Sequence, residues 1–137
     1  LGEFMALAVS LEEMGIKEGN DNIKLLAKTL DRATGKLLDN DKSPSRRTGE
    51  LDNRGSHFYL AKFWAEELAA QDENAELKAK FAPLAKTLAE NEDKIVAELA
   101  EVQGKSVDIG GYYAVDQEKV NAVMRPSATL NAALETI

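Results

Sequence analysis

Apolar residues three and four positions apart constrain the fold of this chain more than any other feature of its sequence. In the first segment the set is Phe4, Met5, Ala8, Leu11 and Met14. This spacing places the side chains on one face of an amphipathic helix. The same spacing recurs in four further sets: Ile23, Leu26, Leu30 and Leu37; Phe58, Tyr59, Phe63 and Trp64; Leu77, Phe81, Leu84 and Leu88; and Ile95, Val96, Leu99 and Val102. The chain is therefore predicted to be mainly α, a multi-helix domain.

Polar residues ahead of these sets indicate where the helices begin. Short polar side chains accept hydrogen bonds from the free N–H groups of a first helical turn. The predicted N-caps are Asn20, Ser56, Asn74, Asp116 and Ser127. We expect the first two helices to form an antiparallel pair and the third, which is rich in aromatic residues, to anchor the core.

Residues 106–113 depart from the helical pattern. Val107 and Ile109 alternate with polar residues, and Gly110 and Gly111 follow them. Alternation is typical of an extended strand, and a glycine pair is typical of a sharp turn. We predict at most a short strand or extended hairpin here, within a single α-rich domain that covers residues 1–137.

Composition excludes several classes of protein. With 44% hydrophobic and 30% charged residues the chain should fold, and its apolar runs are too short to span a membrane. The absence of cysteine removes thiolate metal sites and suits a reducing cytoplasm. A formal net charge of −7 disfavours non-specific binding to nucleic acid or anionic lipid.

A polar segment, predicted as a long loop over residues 39–56, carries most of the unusual chemistry. Three cations and two serines lie within six positions, with no acidic residue among them: Lys42, Ser43, Ser45, Arg46 and Arg47. Guanidinium groups bind phosphate oxygens in pairs, and serine hydroxyls add further donors. A phosphate monoester is therefore a candidate ligand of this loop.

Two other interpretations of the loop stay open. The cations could form a solvated basic turn that pairs with Asp39, Asp41 and Glu50. Alternatively, Ser43 and Pro44 form a Ser-Pro dipeptide near arginines, which could be a target for phosphorylation.

Catalytic residues are hard to find in this sequence. His57, the only histidine, could act as an acid, a base or a hydrogen-bond donor, but a structural hydrogen bond explains one isolated histidine equally well. The acidic residues show no spacing suited to a divalent metal, and neither a dinucleotide-binding glycine pattern nor a P-loop is present. We predict no catalytic residue and no metal ligand, so the chain does not look like a complete enzyme.

Four sequence blocks share one family resemblance: Lys42–Arg46, Gly49–Ala61, Asp108–Tyr113 and Met124–Thr129. Together they closely resemble the C-terminal part of the monomeric, NADP-dependent isocitrate dehydrogenases. The resemblance runs over almost the whole chain, and its first residues look like an internal point of that family's sequence. We therefore expect a fragment of a much longer enzyme, whose C-terminal part belongs to the smaller α/β domain.

The resemblance implies a function for the parent enzyme. Such enzymes oxidise isocitrate and decarboxylate it to 2-oxoglutarate, with NADP and a magnesium or manganese ion in a cleft between two domains. Arg46 falls at the arginine that contacts the 2'-phosphate of NADP in the family, with Ser43, Ser45 and Arg47 as weaker candidates. The family's metal ligands, isocitrate-binding residues and catalytic groups lie outside this sequence, so the fragment alone should be inactive.

The resemblance also implies partners. The remainder of the parent chain should pack against this segment, and isocitrate and NADP should bind to the intact, monomeric enzyme. Apolar surface left uncovered in the fragment would favour self-association. The alternative is an autonomous helical interaction or scaffold module that shares the family's sequence but has no catalytic activity. Neither the residues nor the resemblance assigns a role to Asn53, Arg54 or His57.

Overall fold

The computed structural model describes all 137 residues and contains seven α-helices and no β-strand. The helices are α1 (Gly2–Glu18), α2 (Asp21–Asp39), α3 (Asn53–Ala70), α4 (Ala75–Glu90), α5 (Glu92–Ala100), α6 (Gln117–Met124) and α7 (Ala128–Leu134). The prediction of a mainly α, multi-helix fold is confirmed. No helix is both long enough and apolar enough to cross a lipid bilayer.

Side-chain caps set the start of most helices. Four predicted caps accept hydrogen bonds from backbone N–H groups in the first turn: Asn20, Asn74, Asp116 and Ser127. The predicted cap at Ser56 is wrong, because Asp52 caps α3 and places Ser56 inside the helix. The polar loop therefore spans residues 40–52 and is shorter than the predicted 39–56.

The helices pack largely in chain order. Residues 19–20 join α1 to α2, and the two helices pack side by side as the predicted antiparallel pair. Gly19 adopts a left-handed φ of 60°, which lets the chain reverse at the end of α1. α3 packs between α2 and α4, and α5 and α7 close the bundle against α3 and α4.

One apolar core draws on every helix except α6. Its fully buried large side chains include Leu30, Leu37, Phe58, Leu88 and Ile95. Burial of one such side chain contributes about 1.5–3 kcal/mol. Phe58, Tyr59 and Phe63 are all buried on α3, so the prediction that this helix anchors the core is confirmed.

The only tryptophan lies where α2 meets α3. The indole Nε1 of Trp64 donates a hydrogen bond of 3.0 Å to Oγ1 of Thr29, which is fully buried. The Thr29 hydroxyl in turn donates to the carbonyl of Leu25 at 2.8 Å. Both polar groups are therefore satisfied within an otherwise apolar interface, as buried polar groups require.

One segment differs from its prediction. On α1, Phe4 and Ala8 are buried, but Met5 and Met14 are exposed, so only part of the predicted apolar stripe faces the core.

Residues 106–113 agree with the prediction of at most a short strand or extended hairpin. They form neither helix nor strand. The predicted turn is present there, with Gly110 and its neighbouring glycine both at positive φ.

Candidate functional site

The basic loop leaves α2 in a fixed direction. Asp41 adopts a left-handed φ of 53° just beyond the helix. The N–H of Asp41 donates to the carbonyl of Leu38 at 3.1 Å, and the N–H of Lys42 donates to that of Leu37 at 2.9 Å. This pair of bonds is the Schellman arrangement, which satisfies the last free carbonyls of a helix.

The middle of the loop folds back on itself. The N–H of Ser45 donates to the carbonyl of Leu51 at 2.7 Å and closes the loop at its base. Within this closure, the N–H of Arg47 donates to Oγ of Ser45 at 3.1 Å, and the N–H of Glu50 donates to the carbonyl of Arg47 at 3.3 Å. The loop is therefore a closed turn that displays Arg46 and Arg47 at its tip.

Gln103, which follows α5, braces this turn from outside. Its Oε1 accepts a hydrogen bond from the N–H of Gly49 at 2.9 Å, and its Nε2 donates to the carbonyl of Glu50 at 2.9 Å. One side-chain amide thus satisfies a backbone donor and a backbone acceptor of the loop. No local pattern in the sequence predicts this contact, because the partners are more than fifty residues apart.

The end of the loop is fixed by an ion pair. Asp52 Oδ1 accepts from the N–H of Gly55 at 3.0 Å, and Oδ2 accepts from Nε and Nη2 of Arg54 at 2.9 and 2.6 Å. Nη1 of Arg54 donates to the carbonyl of Val123 at 2.7 Å. Partial burial raises the pKa of Asp52, but the bonds from Arg54 and Gly55 outweigh it and hold the pKa below its ordinary value. Arg54 therefore serves the fold, joining the start of α3 to α6.

His57 also serves the packing of helices. Its Nδ1 donates to the carbonyl of Asn53 at 2.7 Å, while Nε2 lies 3.6 Å from a carboxylate oxygen of Glu3. The imidazole ring meets the ring of Phe4 edge to face, with the centroids 4.9 Å apart. These contacts join α3 to α1, so they support the structural alternative for His57 over a role in acid–base chemistry.

Lys42 turns away from the other cations of the loop. Its Nζ lies 4.6 Å from the ring centroid of Tyr59, a cation–π contact with α3. Burial, with the Glu92 and Asp93 carboxylates nearby, raises the pKa of Tyr59 to about 12. Lys42 is thus occupied by the aromatic core and is not presented together with Arg46.

Arg46 is the cation that the loop leaves free. Its side chain is exposed, makes no hydrogen bond and has no carboxylate within ion-pair distance. Arg47 is 85% exposed and lies 3.9 Å from Glu50, a weak solvated pair. The alternative interpretation was a solvated basic turn whose cations pair with nearby acidic residues. Only the pair of Arg47 and Glu50 fits it, since Asp39 and Asp41 make no ion pair.

The two serines differ in how they are used. Ser45 already accepts a backbone hydrogen bond through Oγ, yet its hydroxyl hydrogen is free to donate to a ligand. Ser43 is half-buried and makes no side-chain hydrogen bond. The structure therefore brings Arg46, Arg47 and Ser45 together on one turn.

The site is open on the side of the arginines. A cavity of about 230 Å³ lies beneath the loop, and Lys42, Tyr59 and Gln103 are among its lining residues. The arginines and serines of the loop do not line it. No group of three or more His, Asp or Glu side chains is arranged to hold a metal ion. The basic turn is thus one wall of a potential anion site, without an enclosing second wall.

Comparison with known proteins decides the family. Residues 1–135 match the family described as monomeric isocitrate dehydrogenase. The chain belongs to that family. It is 66% identical over all 137 residues to isocitrate dehydrogenase [NADP] 2 of Mycobacterium tuberculosis, and 63% identical over the same length to the enzyme of that name from Psychrobacter sp.. The isocitrate dehydrogenase [NADP] of Azotobacter vinelandii is 60% identical over 134 residues, which is 98% of the chain.

The chain is much shorter than these isocitrate dehydrogenases. It spans only 18% of the length of each of these three relatives. The expectation that the sequence is a fragment of a longer enzyme is therefore confirmed.

Proposed function

We propose that this chain is the cofactor-side segment of an NADP-dependent isocitrate dehydrogenase, and that Arg46 binds the 2'-phosphate of NADP. The observation that carries the proposal is the unpaired guanidinium of Arg46 at the tip of a braced turn. The relatives carry NADP in their names, which supports this cofactor over NAD.

The turn suits a phosphate monoester for an electrostatic reason. An arginine without a carboxylate partner needs to break no ion pair before it binds an anion, so the whole charge-assisted interaction is available to the ligand. Its planar fork can donate two parallel hydrogen bonds to phosphate oxygens. Arg47 and the Ser45 hydroxyl lie on the same turn and would supplement Arg46, with Ser43 as a weaker candidate.

The same chemistry provides selectivity for NADP. Sites that select NAD place a carboxylate at the ribose 2'-hydroxyl, whereas sites that select NADP place an arginine near the 2'-phosphate. NAD would leave Arg46 without its anion. Arg46 should therefore contribute to NADP binding and little to NAD binding.

The complete reaction belongs to the intact enzyme. There, isocitrate would be oxidised and decarboxylated to 2-oxoglutarate, with NADP as the hydride acceptor and a magnesium or manganese ion held by residues outside this segment. We propose no catalytic role for any residue of the chain. The isolated chain should produce no NADPH from isocitrate, NADP and Mn²⁺. Location in the cytoplasm stays a prediction from the cysteine-free composition.

The test is an NMR titration of the labelled chain with NADP and, separately, with NAD. We expect NADP alone to shift the backbone amides of residues 42–57. Arg46→Ala should abolish these shifts, and Arg46→Lys should weaken them because a lysine keeps the charge but loses the fork. Arg32→Ala removes an exposed arginine from α2 and is the matched control.

A second measurement is needed if the isolated chain binds NADP too weakly for NMR to detect. The chain can replace the matching segment of the 66% identical relative, giving a full-length chimera. In that enzyme Arg46→Ala should raise KM for NADP at least tenfold, about 1.4 kcal/mol of lost binding. An unchanged KM would refute the role of Arg46. A chimera with no NADP-dependent activity would support the alternative of a helical module.

A further inference from the structure

The outer side of α1 is unusually apolar for a helix at the surface. Val9 and Ile16 are 62% and 63% exposed, and Met5 is 56% exposed. At 3.6 residues per turn these three side chains lie within about 40° of arc, so they share one side of the helix, where Glu12 lies between Val9 and Ile16. This exposed stripe, Met5–Val9–Ile16, lies next to the buried face and is not part of it.

The position of α1 in the bundle explains why the stripe is uncovered. α2 packs along the length of α1, and α3 meets the first turn of α1 through His57. Phe4 and Ala8 fill that contact, and Gly15 lets the backbone of α2 approach so closely that an added Cβ would lie 2.9 Å from the backbone nitrogen of Lys24. Neither contact covers the side of α1 that carries the stripe, where Met5, Val9 and Ile16 stay exposed.

A groove borders the stripe. It has a volume of about 350 Å³, lies between α1 and α2, and is lined by Ala8, Val9, Ile16 and Ala27 together with the charged residues Glu12, Lys24, Lys28 and Asp31. An apolar floor with charges of both signs at the rim suits an amphipathic helix that inserts apolar side chains between two others.

We propose that the Met5–Val9–Ile16 stripe and its groove are covered by another segment of the same isocitrate dehydrogenase chain, outside these 137 residues. The Mycobacterium and Psychrobacter relatives match the chain over all of its residues and are more than five times as long. Most of such an enzyme therefore lies outside these residues and could cover this face. The family is described as monomeric, which disfavours a second copy as the occupant. Uncovered apolar stripes of this kind are rare on monomeric proteins and mark interaction surfaces. This inference rests on the proposal that the chain is part of a larger enzyme.

Cysteine labelling tests the inference directly, because the natural chain has no cysteine. Val9→Cys and Ile16→Cys report the stripe. Ala6→Cys reports the solvent side of α1, about 80° around the helix from the centre of the stripe, and is the matched control, since Ala6 is also exposed. Each variant is treated with a maleimide both as the 137-residue chain and within the full-length chimera, and the labelled peptide is quantified by mass spectrometry.

In the 137-residue chain, all three thiols should react at similar rates. In the chimera, the stripe thiols should react at least about tenfold more slowly than the thiol at position 6, because burial controls access of the reagent. Equal rates at all three positions in the chimera would overturn the inference. A chimera that turns over isocitrate with NADP but leaves the stripe reactive would refute the inference alone, and a chimera that protects the stripe but is inactive would refute the proposed function alone.

Sedimentation of the 137-residue chain tests the competing occupant. We expect a monomer, or a weak association with no protection of the stripe. A stable dimer that Val9→Glu and Ile16→Glu dissociate, and Ala6→Glu does not, would assign the stripe to contacts between copies and would also overturn the inference.

Discussion

Removal of Arg54 is expected to destabilise the whole chain, although the residue lies next to the candidate site. Its guanidinium makes two hydrogen bonds to Asp52 and one to the carbonyl of Val123. The side chains of Arg54 and Asp52 are only 17% and 20% exposed. Arg54→Ala therefore leaves a half-buried carboxylate and a carbonyl without their donor.

The size of the effect follows from these contacts. A hydrogen bond to a charged group contributes about 1.5–3 kcal/mol, and loss of one partner from a fully buried ion pair costs about 3–5 kcal/mol. Asp52 keeps the bond from Gly55 and some contact with water, so the cost should fall below the fully buried range. We expect Arg54→Ala to lower the free energy of unfolding by about 2–3 kcal/mol.

Urea denaturation at pH 7, followed by circular dichroism, measures this cost. Arg32→Ala is the control for loss of an exposed arginine and should change stability by less than about 0.5 kcal/mol. Asp52→Asn keeps the helix cap but removes the negative charge. Arg54→Ala should therefore cost about 1 kcal/mol less in the Asp52→Asn background than in the natural chain.

The pH dependence gives an independent check. Because the pKa of Asp52 is lowered in the fold, its ionised form contributes stability above the ordinary value of 3.8 and loses it as pH falls through the folded-state value. The difference between the natural chain and Arg54→Ala should narrow in that acidic window. An equal cost of Arg54→Ala and Arg32→Ala at pH 7 would refute the structural role assigned to Arg54.

Three further predictions follow from single contacts. Gln103→Ala should speed hydrogen exchange at the amide of Gly49 about fivefold, because it removes a bond of about 1 kcal/mol, and global stability should barely change; an unaltered rate in NMR exchange would contradict the brace. Leu88→Ala should lower the free energy of unfolding by about 2–5 kcal/mol in urea, because the side chain is fully buried; a cost below about 1 kcal/mol would contradict that packing. Phenolate absorbance should show a titration step near pH 12 that Tyr59→Phe removes; an unchanged titration in the variant would contradict the assignment. The free energy of unfolding should fall as pH rises toward that value, because the folded chain retains the Tyr59 proton that the unfolded chain loses.

Local chemistry explains the features that the sequence predicted correctly. The helices follow from the spacing of apolar side chains, and caps such as Asn20 and Ser127 act within three residues of their partners. Asp52 and Ser56 are both good caps, and local preference does not separate them. The Arg54 guanidinium and the Gly55 N–H both bind Asp52, which explains why the helix begins there.

Contacts between distant segments account for what the sequence did not predict. Gln103 braces a loop that ends more than fifty residues earlier, and Arg54 reaches a carbonyl 69 residues away. Lys42 looked like a phosphate ligand because its charge stands beside arginines, but its position against Tyr59 depends on how α3 packs. The exposure of the Met5–Val9–Ile16 stripe on α1 was not predicted either. Periodicity identifies an apolar face of a helix but not the element that covers it.

The setting of Trp64 determines what optical spectroscopy can report about this chain. The indole is hydrogen-bonded between α2 and α3, and it lines neither the cavity beneath the basic loop nor the turn that carries Arg46. Its emission should therefore follow separation of the two helices during denaturation and stay constant when a nucleotide phosphate reaches the loop. A change in tryptophan emission on addition of NADP would signal rearrangement of the helical bundle itself.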